Sequence, residues 1–411
     1  MMVLPLSHIF QEMKTYQKVA SLILFIGMLC FLTGFFWQIK YSRLHTVYFI
    51  LVVLPSLVLI PLFIKEQLHK NKLLLLIALF CLYSLLSVFW VENFQPALFI
   101  TYLKRIMVLM ILFYAVYHIC FYYPLSEKLI FVLLMLSGFV LACFSFWSHF
   151  SNGSTGRLVL WGGLNDVISS ATVYGALFLL SAGAYLKEKN KALLFVYLCL
   201  SIIFILEILL TKSRGPQLAL LLAAPLLFLV IKPVDYKRIY YPLLLLLIVI
   251  LFVAAMTNFF DTVFSRGFNV SYRDVIWKNS VNLSLAKPLF GYGLGTEFKF
   301  VIPANGTTLL NPSIVSHSHN FLLSTWLYSG IIGVVLILAI IYYALSVCFS
   351  GKKEDFSILG VIMVFGIICL LSNGSYPISR ANERWFVFWI PLAFIVAFSV
   401  QRKIAVRKDG G

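Results

Sequence analysis

The chain is a succession of apolar runs of about 20 residues, the length that crosses the hydrocarbon core of a bilayer. Runs at 19–37, 45–64, 73–91, 99–122, 129–149, 166–186, 192–211, 216–231, 240–258, 320–348, 356–372 and 385–401 give twelve spans. In lipid a span must satisfy its own backbone hydrogen bonds, so each run is expected to be a helix. Composition agrees: 62% of the 411 residues are apolar and only 11% are charged, against about 25% charged in a soluble domain. The fold class that follows is an all-α integral membrane protein. The first run follows Lys14 and Lys18 without a small-residue cleavage site, so it reads as a retained span.

The 32 Lys and Arg against 15 Asp and Glu superficially suit a nucleic-acid partner. In so apolar a chain the usual cause is topogenic, because cytoplasmic loops gather cations. With the N-terminus inside, 18 of the 32 cations fall in cytoplasmic segments and 14 on the opposite side; five of those 14 lie in one long loop, leaving 9 in short loops. Long loops escape the rule. An even number of spans puts both termini inside. The layout is spans one to nine over 1–258, a long external loop over 259–319, and spans ten to twelve with a cytoplasmic tail over 320–411. The seven cysteines lie in or at the edge of apolar runs, with no CxxC pair, so neither a disulfide nor a zinc site is expected.

The long loop holds a helix signal. Ser271, followed three residues later by Asp274, is a weak capping-box variant, and the stretch after it is amphipathic through Val275, Ile276, Leu283 and Leu285 up to Pro288. The GYGLG run at 291–295 reads as tight turns with positive φ.

Cations on a membrane face ask for an anionic partner. Arg214 lies in SRGP, just before Pro216 opens the eighth span, and Arg273 lies in the first turn of the loop helix. A helix N-terminus carries free N–H groups and partial positive charge, and a guanidinium beside it makes a bidentate phosphate clamp. Trp277, one turn on, is placed to pack against Arg273. The bland reading of an external arginine is that it snorkels or touches lipid head groups. For Arg214 and Arg273 the anion site is the stronger reading, since SRG is a polar tripeptide between two long apolar runs. For Arg157, Arg380, Arg384 and the pair Lys104–Arg105 both readings stand; Lys104 and Arg105 lie a turn inside the fourth span, a costly place unless they face a cavity.

His317 and His319 form HSHN where the long loop meets the tenth span. Imidazole is the side chain best poised to take a proton near neutral pH. Two histidines at i, i+2 without a carboxylate cluster make a poor metal site. The chain contains no DxD and no GxxxxGK[ST], which disfavours both a metal-held nucleotide sugar and ATP hydrolysis. An enzyme outside the cytoplasm has no nucleotide supply, so its activated donor must come preassembled on a lipid. Arginines can then stabilise a diphosphate leaving group without metal, and a histidine can deprotonate the acceptor hydroxyl. Glu207, well inside the seventh span, reads as lying near its external end and paired with Lys212 or Arg214; a pathway role stays open.

Here the sequence resembles a known family. His319-Asn320, nine residues, then Gly330-x-x-Gly333 looks like the signature of the O-antigen ligases, and SRG at 213–215, YRDVIW at 272–277, PLFGYGLG at 288–295 and HSHN at 317–320 follow in the order of the ligase and polymerase superfamily. The resemblance covers the chain from about residue 157 onward. It implies a Gram-negative inner-membrane glycosyltransferase of lipopolysaccharide biosynthesis. Such ligases move O-antigen polysaccharide from undecaprenyl diphosphate to lipid A–core on the periplasmic side, with inversion and without metal or other cofactor. By the same resemblance His319 is the general base, Arg214 and Arg273 hold the diphosphate, His317 is a secondary candidate, and GYGLG shapes the loop over the site.

The expected partners are therefore the lipid-linked donor, lipid A–core and membrane lipids, with no nucleic acid. An O-antigen polymerase uses the same donor but extends another lipid-linked chain; the HN-x9-GxxG pattern favours the ligase. Protein O-oligosaccharyltransferases tend to add a soluble C-terminal domain, whereas this chain stops after Lys408. A lipid or polysaccharide transporter also suits twelve spans, but no matching halves with broken helices are visible.

Overall fold

A computed structural model describes residues 13–38, 40–65, 68–123, 126–154, 156–231, 272–302, 313–350 and 354–409. Among these are ten helices long and apolar enough to cross a membrane: Thr15–Trp37, Ser42–Leu62, Lys72–Trp90, Pro96–Tyr122, Ser126–Ser151, Val167–Lys187, Lys191–Leu210, Phe321–Phe349, Phe356–Asn373 and Glu383–Gln401. They coincide with ten of the expected runs. The eighth run is a shorter apolar helix, Arg214–Val230, and the ninth, at 240–258, lies outside the described residues. The protein is a multi-pass membrane protein. Its lipid-facing side chains are large and apolar, such as Leu221, Leu229 and Tyr342, exposed to 70%, 80% and 76%; hydrocarbon, unlike water, accepts them.

The helix Pro96–Tyr122 is α1, Val167–Lys187 α2, Lys191–Leu210 α3, Arg214–Val230 α4, Arg273–Ala286 α5, Phe321–Phe349 α6, Glu354–Asn373 α7, and the short Glu383–Val387 α8. Pro216 sits in the first turn of α4, as its missing N–H allows. The helix α7 packs against α2, α4 and α6, so it is the post around which the site is assembled.

The described part of the loop packs around a small core that it shares with α6. Ile276, Phe298, Phe300 and Leu327 are buried together, with Trp277, Leu283 and Tyr328 packed on them. The capping-box reading is corrected: α5 starts at Arg273 after Tyr272, with no side-chain cap, and Ser271 lies outside the described residues. Leu285 is 59% exposed rather than packed. A two-stranded antiparallel ribbon, β1 Phe300–Ile302 with β2 Ser313–Val315, pairs Val301 with Ile314. It adds a strand element that helical periodicity did not announce.

The loop docks on α6 where that helix breaks. Gly330 has φ 63° and ψ −170°, which stops the i→i−4 ladder inside α6. Three carbonyls beside the break find partners outside the helix. Tyr292 N–H donates to Leu327 O and Gly293 N–H to Tyr328 O, each at 2.9 Å, and Tyr83 Oη–H donates to Ser329 O at 2.8 Å. Ile331 N–H crosses the other way to Pro288 O at 2.9 Å. A Cβ on Gly330 would stand 2.0 Å from Leu289 O, so the approach of the two backbones depends on glycine. Gly291, Gly293 and Gly295 have φ of 71°, 92° and 112°, the positive values expected of GYGLG.

Candidate active site

Three helix beginnings and one helix end meet at the candidate site. A Cβ on Gly215, in the first turn of α4, would stand 3.0 Å from Ser372 Oγ at the end of α7. One on Gly374, just past that end, would stand 3.0 Å from Phe321 N, the first residue of α6. The tripeptides SRG (213–215) and SNG (372–374) and the pair HN (319–320) are therefore brought side by side. Asn320 caps α6, its Oδ1 accepting from Leu322 N at 3.0 Å and Leu323 N at 3.1 Å. That fixes the residue before it, His319, at the helix mouth.

The described residues include three non-glycine positions with positive φ: Lys212 at 52°, Tyr272 at 58° and His319 at 51°. Lys212 stands two residues before Arg214, Tyr272 one before Arg273, and His319 is itself a candidate. Left-handed backbone in non-glycine residues costs about 1–3 kcal/mol and persists where the surroundings over-determine it. Here it turns the chain sharply into α4, α5 and α6, so that Arg214, Arg273 and His319 are presented at helix starts.

His319 is held by a residue the sequence reading missed. Its Nδ1 lies 3.0 Å from Asn373 Oδ1. An amide oxygen only accepts, so Nδ1 carries the proton and Nε2 keeps the lone pair. Burial lowers the pKa of His319; the Asn373 bond opposes this, and the charges of Arg273 and Arg384 add to the lowering. The ring is thus neutral near neutral pH, the state a base requires. His317 packs edge-on against it with ring centroids 4.0 Å apart, and burial first, then His319 and Arg384, push its pKa down to about 4. Its buried Nδ1 has no hydrogen-bond partner.

Arg273 acts electrostatically on His319, and its own pKa is lowered by burial first and then by the charge of Arg214. Arg384 completes the group: it donates through Nη1 to Ser375 Oγ, and its Nε lies 3.8 Å from Glu383 Oε1. Behind it, a small cavity is lined by Ser169, Thr172, Asn373, Glu383 and Arg384 among others. Of the expected residues, the structure thus gathers His319, His317, Arg214, Arg273 and Arg384. Arg157 serves a different end. Its Nε donates to Thr211 O at 2.8 Å and its neighbour Leu158 N to Leu210 O at 2.9 Å, so it caps the C-terminus of α3 and steadies the turn into Arg214. Arg105, Lys104 and Arg380 are not among the charges that act on His319.

Trp277 packs on the loop core of Ile276, Phe298, Phe300 and Leu327. One local expectation is corrected. Glu207 is fully buried with neither carboxylate oxygen hydrogen-bonded. Asn373 was legible only in part: SNG, like SRG, is a polar tripeptide at the edge of an apolar run, but nothing in the sequence pairs it with His319.

Residues 199–338 match the family model described as O-antigen ligase, a stretch that contains Arg214, Arg273, His317, His319 and the Gly330 break. Over 406 residues, 96% of this chain and 95% of its relative, the sequence is 28% identical to an O-antigen ligase of Pseudomonas aeruginosa. With the HN-x9-GxxG pattern now seated at the mouth and break of one helix, the chain is similar to the O-antigen ligases both in this stretch and along nearly its whole length.

Proposed function

We propose that this protein transfers O-antigen polysaccharide from undecaprenyl diphosphate to lipid A–core, with inversion and without metal, on the periplasmic face of a Gram-negative inner membrane. The observation that carries the reading is the Asn373–His319 pair set within reach of the charges of Arg273 and Arg384. His319 Nε2 takes the proton from the acceptor hydroxyl. The acceptor oxygen attacks the anomeric carbon opposite the diphosphate, and the carbon–oxygen bond to the diphosphate breaks. The leaving electron pair becomes negative charge on the diphosphate, where the guanidinium groups of Arg214 and Arg273 stabilise it. Attack from the far face inverts the anomeric centre. His317, uncharged at neutral pH, adds no competing positive charge beside the base.

The test is reconstitution of purified protein with undecaprenyl-diphosphate-linked O-antigen and lipid A–core, in EDTA and without nucleotide. A lipopolysaccharide ladder that His319→Ala abolishes supports the reading. Lengthening of lipid-linked chains in place of a ladder makes the protein a polymerase, and neither product from folded protein overturns transfer altogether.

A further inference from the structure

A second group of cations lies apart from the His319 site. Three segments converge on Tyr48: its hydroxyl donates to Val108 O in α1 at 3.0 Å, and its ring meets Trp385 of α8 edge-on at 6.2 Å. His45 lies one turn before Tyr48, Arg105 one turn before Val108, and Arg380 five residues before Trp385. The two helices that carry His45 and Arg105 and the segment that carries Arg380 therefore share a buried junction at Tyr48. The electrostatics agree with that shared junction: besides burial, His45 feels the charges of Arg380 and Arg105, whereas His319 feels those of Arg273 and Arg384.

Among the described residues the two arginines have no carboxylate partner. Neither Arg105 nor Arg380 makes an ion pair among the described residues, where Glu92 is taken by Lys287 and Glu383 lies beside Arg384. Arg105 Nε is buried and lacks a hydrogen-bond partner among the described residues, while its guanidinium lies over the Tyr102 ring at 4.8 Å, a stack that fixes its plane. Like charges held together beside lipid repel, and a buried unpaired N–H costs free energy; an anion removes both penalties. The site also borders the loop. A Cβ on Gly295 would stand 3.2 Å from Tyr102 Cε2, so the end of GYGLG rests on the ring that carries Arg105.

We propose that Arg105 and Arg380, with His45, form a second anion site that takes the phosphate group of a lipid lying in the same leaflet, separate from the Arg214–Arg273 group. On the ligase reading given above, on which this assignment of the lipid rests, the occupant is the phosphorylated acceptor, lipid A–core. Its sugar end is then led along the loop toward His319 while the donor diphosphate occupies the other cations. Two sites of one sign let two anionic lipids bind together without sharing a clamp.

Native mass spectrometry of the full-length protein in detergent tests this. The probes are phosphorylated lipid A–core, the same lipid after chemical dephosphorylation, phosphatidylglycerol and phosphatidylcholine. Arg380→Gln, at an exposed position, and Arg105→Gln are each expected to lower retention of phosphorylated lipid A–core at least tenfold, with dephosphorylation having the same effect on the wild type. Arg214→Gln/Arg273→Gln is expected to leave this retention unchanged. Retention of phosphatidylglycerol with the same arginine dependence supports the phosphate site and names a bulk lipid as occupant. Retention indifferent to Arg380→Gln in a monodisperse protein, or loss equal in the Arg214→Gln/Arg273→Gln variant, overturns the proposal. Binding is read without transfer, so failure of the ligase reading leaves its own mark: no ladder, with arginine-dependent retention intact.

Discussion

Replacing Gly330 with alanine tests how the loop is held over the site. Gly330 occupies φ 63°, ψ −170°, a region almost confined to glycine, and alanine there costs about 1–3 kcal/mol in backbone strain. The added methyl would also meet the Leu289 carbonyl at 2.0 Å, a backbone atom that cannot rotate away. Relief requires the two backbones to part. Three hydrogen bonds go with them, Tyr292 N to Leu327 O, Gly293 N to Tyr328 O and Ile331 N to Pro288 O, each 2.9 Å long. At about 1 kcal/mol apiece they amount to about 3 kcal/mol, roughly a hundredfold in the docked population. Arg273, on α5, would lose its fixed relation to His319. Gly330→Ala is therefore expected to insert normally, to become open to protease between 272 and 302, and to lose transfer by on the order of a hundredfold. Ile331→Ala, at a 42% exposed position, is the neutral control. Wild-type transfer together with wild-type protease protection in Gly330→Ala would refute the docking argument.

Asn373→Leu is expected to slow transfer by about 10–30-fold, the worth of one hydrogen bond that fixes a tautomer, whereas Asn373→Asp should shift the acid limb of the pH–rate profile upward; an unmoved limb in Asn373→Asp counts against Asn373 as the positioning residue. Arg214→Lys and Arg273→Lys should each fail to restore transfer, since an ammonium offers no fork to a diphosphate; rescue by lysine would reduce these sites to simple charge. Acid should weaken both rate and fold. His319 and His317 have pKa values below the unfolded value of 6.5, so the unfolded chain binds more protons and the stability they contribute, present above pH 6.5, is lost as pH falls through the folded values, about 4 for His317. Transfer that holds level through that window would argue against a histidine base.

Much of the molecule is written in local chemistry. A run of about 20 apolar residues forms a helix wherever it meets lipid, so ten expected spans are found as helices, and the 216–231 run as a shorter one, without reference to one another. The same holds for GYGLG, whose positive φ values belong to glycine itself, and for the cap residue Asn320. The candidate residues Arg214, Arg273 and His319 were legible because polar side chains at the edges of apolar runs must have a use, and because their order matches a family pattern. What the sequence could not carry is pairing across distance. That Asn373 holds His319 across 54 positions, that Arg157 donates to a carbonyl at a helix end, and that Val108 and Trp385 meet at Tyr48 all depend on which helices pack together. The ribbon of β1 and β2 is of the same kind, since each strand is only three residues long and exists through its partner. Apolar patterning specifies that a helix is buried in lipid or protein but not which neighbour it meets; packing of α7 against α2, α4 and α6 makes that choice, and with it the chemistry of the site.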